Sequence, residues 1–323
     1  VTPAVHRAAR LTGLLFLIAL LTSRLTLVVH ELAGHALPAL LVGSHRVDFE
    51  LFWFAGGYVS FARELPYDTG ERLFISLGGI GLELIAGVAG LAIARLAAVR
   101  ARPVLRLALL GVAAINLVHG LYYLATGAHH GFGDGWLLHR ELAGARGWIA
   151  WPVAALAVIA TFAVARLIGG VLRSWLADHR AVTQVAMIAG GVAVAGGLHA
   201  ALTFGELAVR SDRTYDRVME HQDKRDAARE LARYLAEQRR RGVVVDKRQV
   251  EVVRERLEDE HRPFPLDIVL ALALGAAAIA GTATARPDRS AAAGGAVPRW
   301  RQLRGLAMAT AAALALVIAL AVL

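Results

Sequence analysis

The chain has 323 residues, of which 57% are hydrophobic, with a formal net charge of +9 and no cysteine. With a mean hydropathy of +0.52, this composition excludes an ordinary soluble domain and places the chain among membrane proteins. The missing cysteines exclude disulfides and thiolate metal sites, so any metal must be held by nitrogen and oxygen.

About 20 largely apolar residues cross the hydrocarbon layer as a helix, and six or seven such stretches are present. The first runs from Leu11 to Val29 and continues to Val42. Its apolar region is too long for a removable signal peptide, and it is expected to stay in the mature protein. Inside it lies His30-Glu31-Leu32-Ala33-Gly34-His35. Ionisable groups in so apolar a span are expensive and mark a functional site by default.

Residues 43–61 change character. Val47, Phe49, Leu51 and Trp53 alternate with Arg46, Asp48 and Glu50 before Gly56-Gly57 leads into Tyr58-Val59-Ser60-Phe61. Period-two alternation on both sides of a glycine pair predicts a β-hairpin. Its aromatic residues suit the membrane interface, and an edge strand there would pair with an extended substrate peptide. The plainer alternative is an interfacial loop with no ligand.

Further spans are expected at Leu73 to Ala97, Val104 to Ala125, Trp148 to Val171, Val182 to Val209, Leu266 to Ala283 and Leu306 to Leu323. Residues 210–262 form the one strongly polar block. There Tyr215, Val218, Met219, Leu231, Tyr234 and Leu235 recur at helical spacing, Gly242 ends that helix and Asp246 caps a second. This extramembrane helical hairpin would gate access, bind a partner protein or connect spans as a solvated link. Residues 284–305, with Ser290-Ala-Ala-Ala-Gly-Gly, read as a flexible basic linker. The expected architecture is thus an all-α polytopic membrane protein with a small β-hairpin. Its parts are a core (1–147), additional spans (148–209), the hairpin (210–262) and the C-terminal spans (263–323).

The positive charge has a topological explanation that needs no nucleic acid. Arg7, Arg10, Arg100, Arg102, Arg173, Arg180 and the arginines between Arg286 and Arg304 would share one face, cytoplasmic by the positive-inside rule. The loop after His35 would then lie outside, although Arg46, Arg63 and Arg72 weaken the contrast.

Two histidines flanking a glutamate are the ligand-and-base set of a zinc hydrolase, which needs three protein ligands and an open position. His30 and His35 supply two ligands, and Glu31 is placed to take a proton from water. The usual spacing sets the histidines four apart, whereas here they are five apart, about 140° around a regular helix. A π-type bulge would return them to one face, and Gly34 eases the distortion. The helix is therefore expected to be irregular between His30 and His35.

The third ligand is sought in 116–139. Asp134, between Gly133 and Gly135, is the first choice, His119 the second and the His129-His130 pair the third. The competing reading of His119 is a core imidazole bonded between helices, for example to a tyrosine. Glu83, His199 and Glu206 are further buried ionisables expected mainly to satisfy helix contacts, and His139 an interfacial residue.

These residues resemble the site-2 protease family, the intramembrane zinc metalloproteases. Gly34-His35-Ala36-Leu37 is similar to the family's continuation of its His-Glu motif, and the segment 43–61 to its aromatic hairpin. Ser76-Leu-Gly-Gly-Ile-Gly-Leu-Glu83 resembles its glycine-rich second span, and Asp134-Gly135 its Asp-Gly motif. The four elements follow in order across residues 11–140. The motif here is one residue longer, a spacing also found in a soluble dipeptidyl-peptidase family that binds zinc, and the family's Asn and Pro ahead of Asp-Gly are absent. The resemblance implies cleavage of membrane-protein substrates with His30, His35 and Asp134 on Zn2+ and Glu31 as base. It also implies a site near the cytosolic face, against the arginine pattern. The expected location is a bacterial plasma membrane. A non-catalytic scaffold and a metal or proton transporter are the rival readings.

Overall fold

The computed structural model describes residues 3–141, 146–210, 213–260, 263–288 and 297–322. Seven of its helices are long and apolar enough to cross a membrane, so the protein is an integral, multi-pass, all-α membrane protein with one two-stranded antiparallel sheet.

The first span, Val5–Leu41, contains α1 (Pro3–Val28), a π-helical segment (Val29–Ala36) and α2 (Leu37–Leu41). The expected irregularity is therefore present and takes the π form. Pro38 has no N–H to return to the Gly34 carbonyl four residues before it, which breaks the α-helical pairing there. The N–H of Leu37 bonds to the Leu32 carbonyl five residues back.

Strands β1 (Arg46–Leu51) and β2 (Gly57–Ala62) pair with Leu51 opposite Gly57 and Arg46 opposite Ala62. The turn is longer than the glycine pair suggests, because residues 52–56 form a loop held by side chains from other elements. Arg24 Nη1 donates to the carbonyls of Trp53 (3.0 Å) and Ala55 (2.9 Å). The Glu206 carboxylate accepts from the N–H groups of Trp53, Phe54 and Ala55 at 2.6, 2.5 and 3.0 Å.

The second span, α3 (Thr69–Ala94), begins four residues before the expected Leu73. Asp68 and Glu71 form a capping box that satisfies the first backbone donors. After the short α4 (Ala97–Arg100), the third span comprises α5 (Pro103–Ala113), a second π-helical segment (Ala114–His119) and α6 (Gly120–His130). A 3-10 turn, Gly133–Gly135, leads into α7 (Trp136–Glu141). The next two spans are α8 (Arg146–Trp175) and α9 (Ala181–Arg210).

The polar block divides differently from expectation. Its first helix is broken at 220–221 into α10 (Arg213–Met219) and α11 (Gln222–Arg240), and α12 (Lys247–Glu260) follows. Gly242, at φ +72°, closes α11. Asp246 and Gln249 exchange side-chain bonds at the start of α12. The sixth span is α13 (Leu266–Thr284) and the seventh ends the chain as α14 (Arg304–Leu320). Residues 289–296 of the basic linker lie outside the described residues.

Leu11, Leu14, Leu107, Leu110, Leu172, Leu176 and Leu303 build an apolar cluster at one end of the bundle. Three arginines lie at that end: Arg7 pairs with Asp178, Arg106 with Asp288, and Arg173 donates to the Ala285 carbonyl. Because α1 starts there, the π-helical segment, the sheet and residues 131–141 lie toward the other end.

Candidate metal centre

A π-helix pairs residue i with i+5, so five-apart side chains fall on one face. Within the first span His30, Glu31 and His35 are all buried, at 8%, 4% and 6% exposure. The two rings meet edge to face, with Nε2 atoms 3.1 Å apart.

Asp134 comes to the same point from the turn after α6. Its Oδ2 lies 3.0 Å from His30 Nε2 and 3.3 Å from His35 Nε2. Gly133 before it has φ +50°, and a Cβ there would collide with the Tyr123 hydroxyl. Only glycine meets both demands.

The outer nitrogens are already committed. His35 Nδ1–H donates to the Ile75 carbonyl (2.6 Å) and His30 Nδ1–H to Glu83 Oε1 (2.9 Å), both on α3. Such partners fix the tautomer, so the neutral rings turn their Nε2 lone pairs inward. Asp134 Oδ2 is buried with no hydrogen-bond partner among the described residues. Three electron-pair donors aimed at one point repel unless a cation stands among them. Tetrahedral ligands about 2.0–2.1 Å from one zinc ion are about 3.3 Å apart, close to the three separations here. The donor set, two imidazoles and a carboxylate, also suits zinc. Among the described residues this is the one group with metal-ligand geometry.

The close approach of α3 makes this possible. A Cβ on Gly34 would lie 2.3 Å from the Gly79 Cα, and one on Gly79 would lie 2.6 Å from His30 Cε1 and 2.7 Å from His35 Nε2.

Glu31 is not one of the three converging groups. It faces a cavity of about 570 Å³ that also reaches His30, Glu83, His119 and Tyr123. Gly57, at the start of β2, lies against it: a Cβ there would be 3.2 Å from the Glu31 Cγ.

The other candidates are elsewhere. His119 Nδ1 is 3.6 Å from Glu83 Oε2, outside the ligand group. His130 is buried between Asp223 (3.9 Å) and Asp267 (3.6 Å). His129 Nε2–H donates to the Phe264 carbonyl, and His139 Nδ1–H to the His129 carbonyl. His199 meets Ser23 Oγ at 3.2 Å. Glu83, expected to serve a helix contact, does so on His30. An acid inside an apolar span was the available signal; its partner could not be read.

Tyr215 and Met219 of α10 also line the cavity, which no pattern in the polar block announced. His221 stacks between His130 (4.6 Å) and Phe132 (4.9 Å), and Gln222 accepts from Trp136 Nε1 (3.2 Å). The start of this block, for which a solvated connector was one of three expectations, is therefore docked on the turn that carries Asp134.

Comparison of the chain with protein-family models, with curated proteins and with solved structures finds no match.

Proposed function

We propose that the protein is an intramembrane zinc metalloprotease of the site-2 protease type, acting in a bacterial plasma membrane on transmembrane or membrane-proximal segments. The observation that carries this reading is the meeting of the His30 and His35 Nε2 atoms with Asp134 Oδ2, each imidazole anchored from behind, beside a buried Glu31 that opens on a cavity.

Zinc bound there would polarise a carbonyl and bring the pKa of water to about 7. Glu31 takes the proton from the attacking water as its oxygen bonds to the peptide carbon. The same carboxyl then passes the proton to the departing amine as the C–N bond breaks. Arg24 and Glu206 hold loop 52–56 rigidly at the rim, so β2 presents its edge from a fixed frame. A transporter would need polar groups through the whole bilayer. On α1 the cavity lining starts at Ala19, and Leu11, Leu14 and Ile18 before it belong to the apolar cluster.

The test uses the full chain in detergent, with elemental analysis for zinc and fluorescein-labelled casein together with synthetic transmembrane peptides as probes. One zinc per chain is expected, with cleavage abolished by Glu31→Gln while zinc is retained. Cleavage that survives Glu31→Gln, or a chain that takes up no zinc, overturns the proposal. A zinc-loaded wild type that cleaves no probe points to the scaffold instead.

A further inference from the structure

His119 stands outside the ligand group yet faces the same cavity as Glu31. It closes the second π-helical segment, Ala114–His119, and such widened turns are frequent where a span carries function. Its side chain is 57% exposed, although it sits mid-way along an apolar span. An ionisable ring at such a depth belongs to a polar path or a site.

Two contacts orient it. Nδ1 is directed at Glu83 Oε2, and the ring stacks on Tyr123 with centroids 5.7 Å apart and planes 10° from parallel. The Glu83 carboxylate thus stands behind two imidazoles, that of His30 turned to the three-ligand point and that of His119 turned to the cavity. His119 Nε2, at the far end of the ring, has no hydrogen-bond partner among the described residues. Several other polar groups of the lining are engaged: Ser23 with His199, Arg24 with the carbonyls of loop 52–56, Thr26 with Asn116 and Thr203 with the Phe54 carbonyl.

An extended peptide entering this largely apolar cavity would bring backbone N–H and C=O groups that are costly to leave unpaired. We infer that His119 is a substrate-contacting residue, its Nε2 hydrogen-bonding the peptide backbone beside the bond presented to Glu31. The inference rests on the protease reading and adds a specific contact to it.

The test uses the zinc-loaded full chain in detergent and two probes. Acetohydroxamate reaches only the metal, whereas a dansyl-labelled tripeptide hydroxamate extends along the cavity. His119→Phe, which keeps the ring on Tyr123, is expected to weaken the tripeptide probe at least tenfold. Zinc content, thermal midpoint and acetohydroxamate affinity should stay as in the wild type, and His119→Gln should recover most of the tripeptide affinity. Unchanged tripeptide affinity in His119→Phe overturns the inference. So does a parallel loss of zinc or acetohydroxamate binding, which would put His119 at the metal. A wild type that binds zinc and acetohydroxamate but not the tripeptide also overturns it, leaving the metal centre standing. A wild type that binds none of them sinks the protease reading itself.

Discussion

Glu83 on α3 accepts the Nδ1 proton of His30 at 2.9 Å, across the contact between α3 and the first span. A carboxylate behind a ligand imidazole raises its basicity and holds its orientation. Glu83→Gln is therefore expected to lower zinc affinity about 10–100-fold, measured by competition with a chelator of known affinity. Affinity equal to wild type would make the contact incidental to metal binding.

Gly79 tests the closeness of that contact. Alanine is the better helix former by about 1 kcal/mol, so Gly79→Ala leaves α3 helical. Its Cβ would nonetheless lie 2.6–2.7 Å from ring atoms of His30 and His35, forcing one ring aside. The expected result is unchanged helical circular dichroism with zinc stoichiometry near zero. Full zinc loading would show that the helices separate easily.

Glu206 tests the frame of the rim. Its carboxylate satisfies three successive N–H groups of loop 52–56 and pairs with Arg210. Leaving buried donors unpaired costs about 1–3 kcal/mol each. Glu206→Ala should lower the thermal midpoint and open the loop to proteolysis between Trp53 and Ala55, and Glu206→Gln should recover part of both. A loop equally resistant in Glu206→Ala would refute this anchoring.

Docking of the polar block should depend on pH through His221. Burial, together with the neighbouring His130 ring, holds His221 below the ordinary imidazole range. A lowered folded-state pKa means that the undocked segment takes up a proton more readily. Docking is then complete above the free imidazole value of about 6.5 and weakens as the pH falls below it. Hydrogen-exchange protection over residues 213–222, taken relative to the intrinsic rate at each pH, should fall between pH 7.5 and 5.5. His221→Phe, which keeps the stack on Phe132, should flatten that dependence, and an unaltered pH response in this variant would exclude His221 as its source.

The amino-acid order alone determined what depends on near neighbours in the chain. Runs of apolar residues marked the spans, alternation around Arg46–Leu51 marked the hairpin, and the five-residue separation of His30 and His35 required a distorted helix, because each is a statement about pitch and local hydropathy. It also nominated Asp134, His119 and the His129-His130 pair as partners for the two histidines without ranking them by distance. Tertiary packing decided among them. The glycine contact of α3 with the first span set the depth of His30 and His35, the turn after α6 carried Asp134 to within 3.3 Å of both, and His119 was left facing the cavity. Glu83 behind His30, Arg24 and Glu206 on loop 52–56, and Tyr215 in the cavity join residues separated by tens to more than a hundred positions. Such contacts follow from how helices nest against one another, which periodicity within a single helix does not encode.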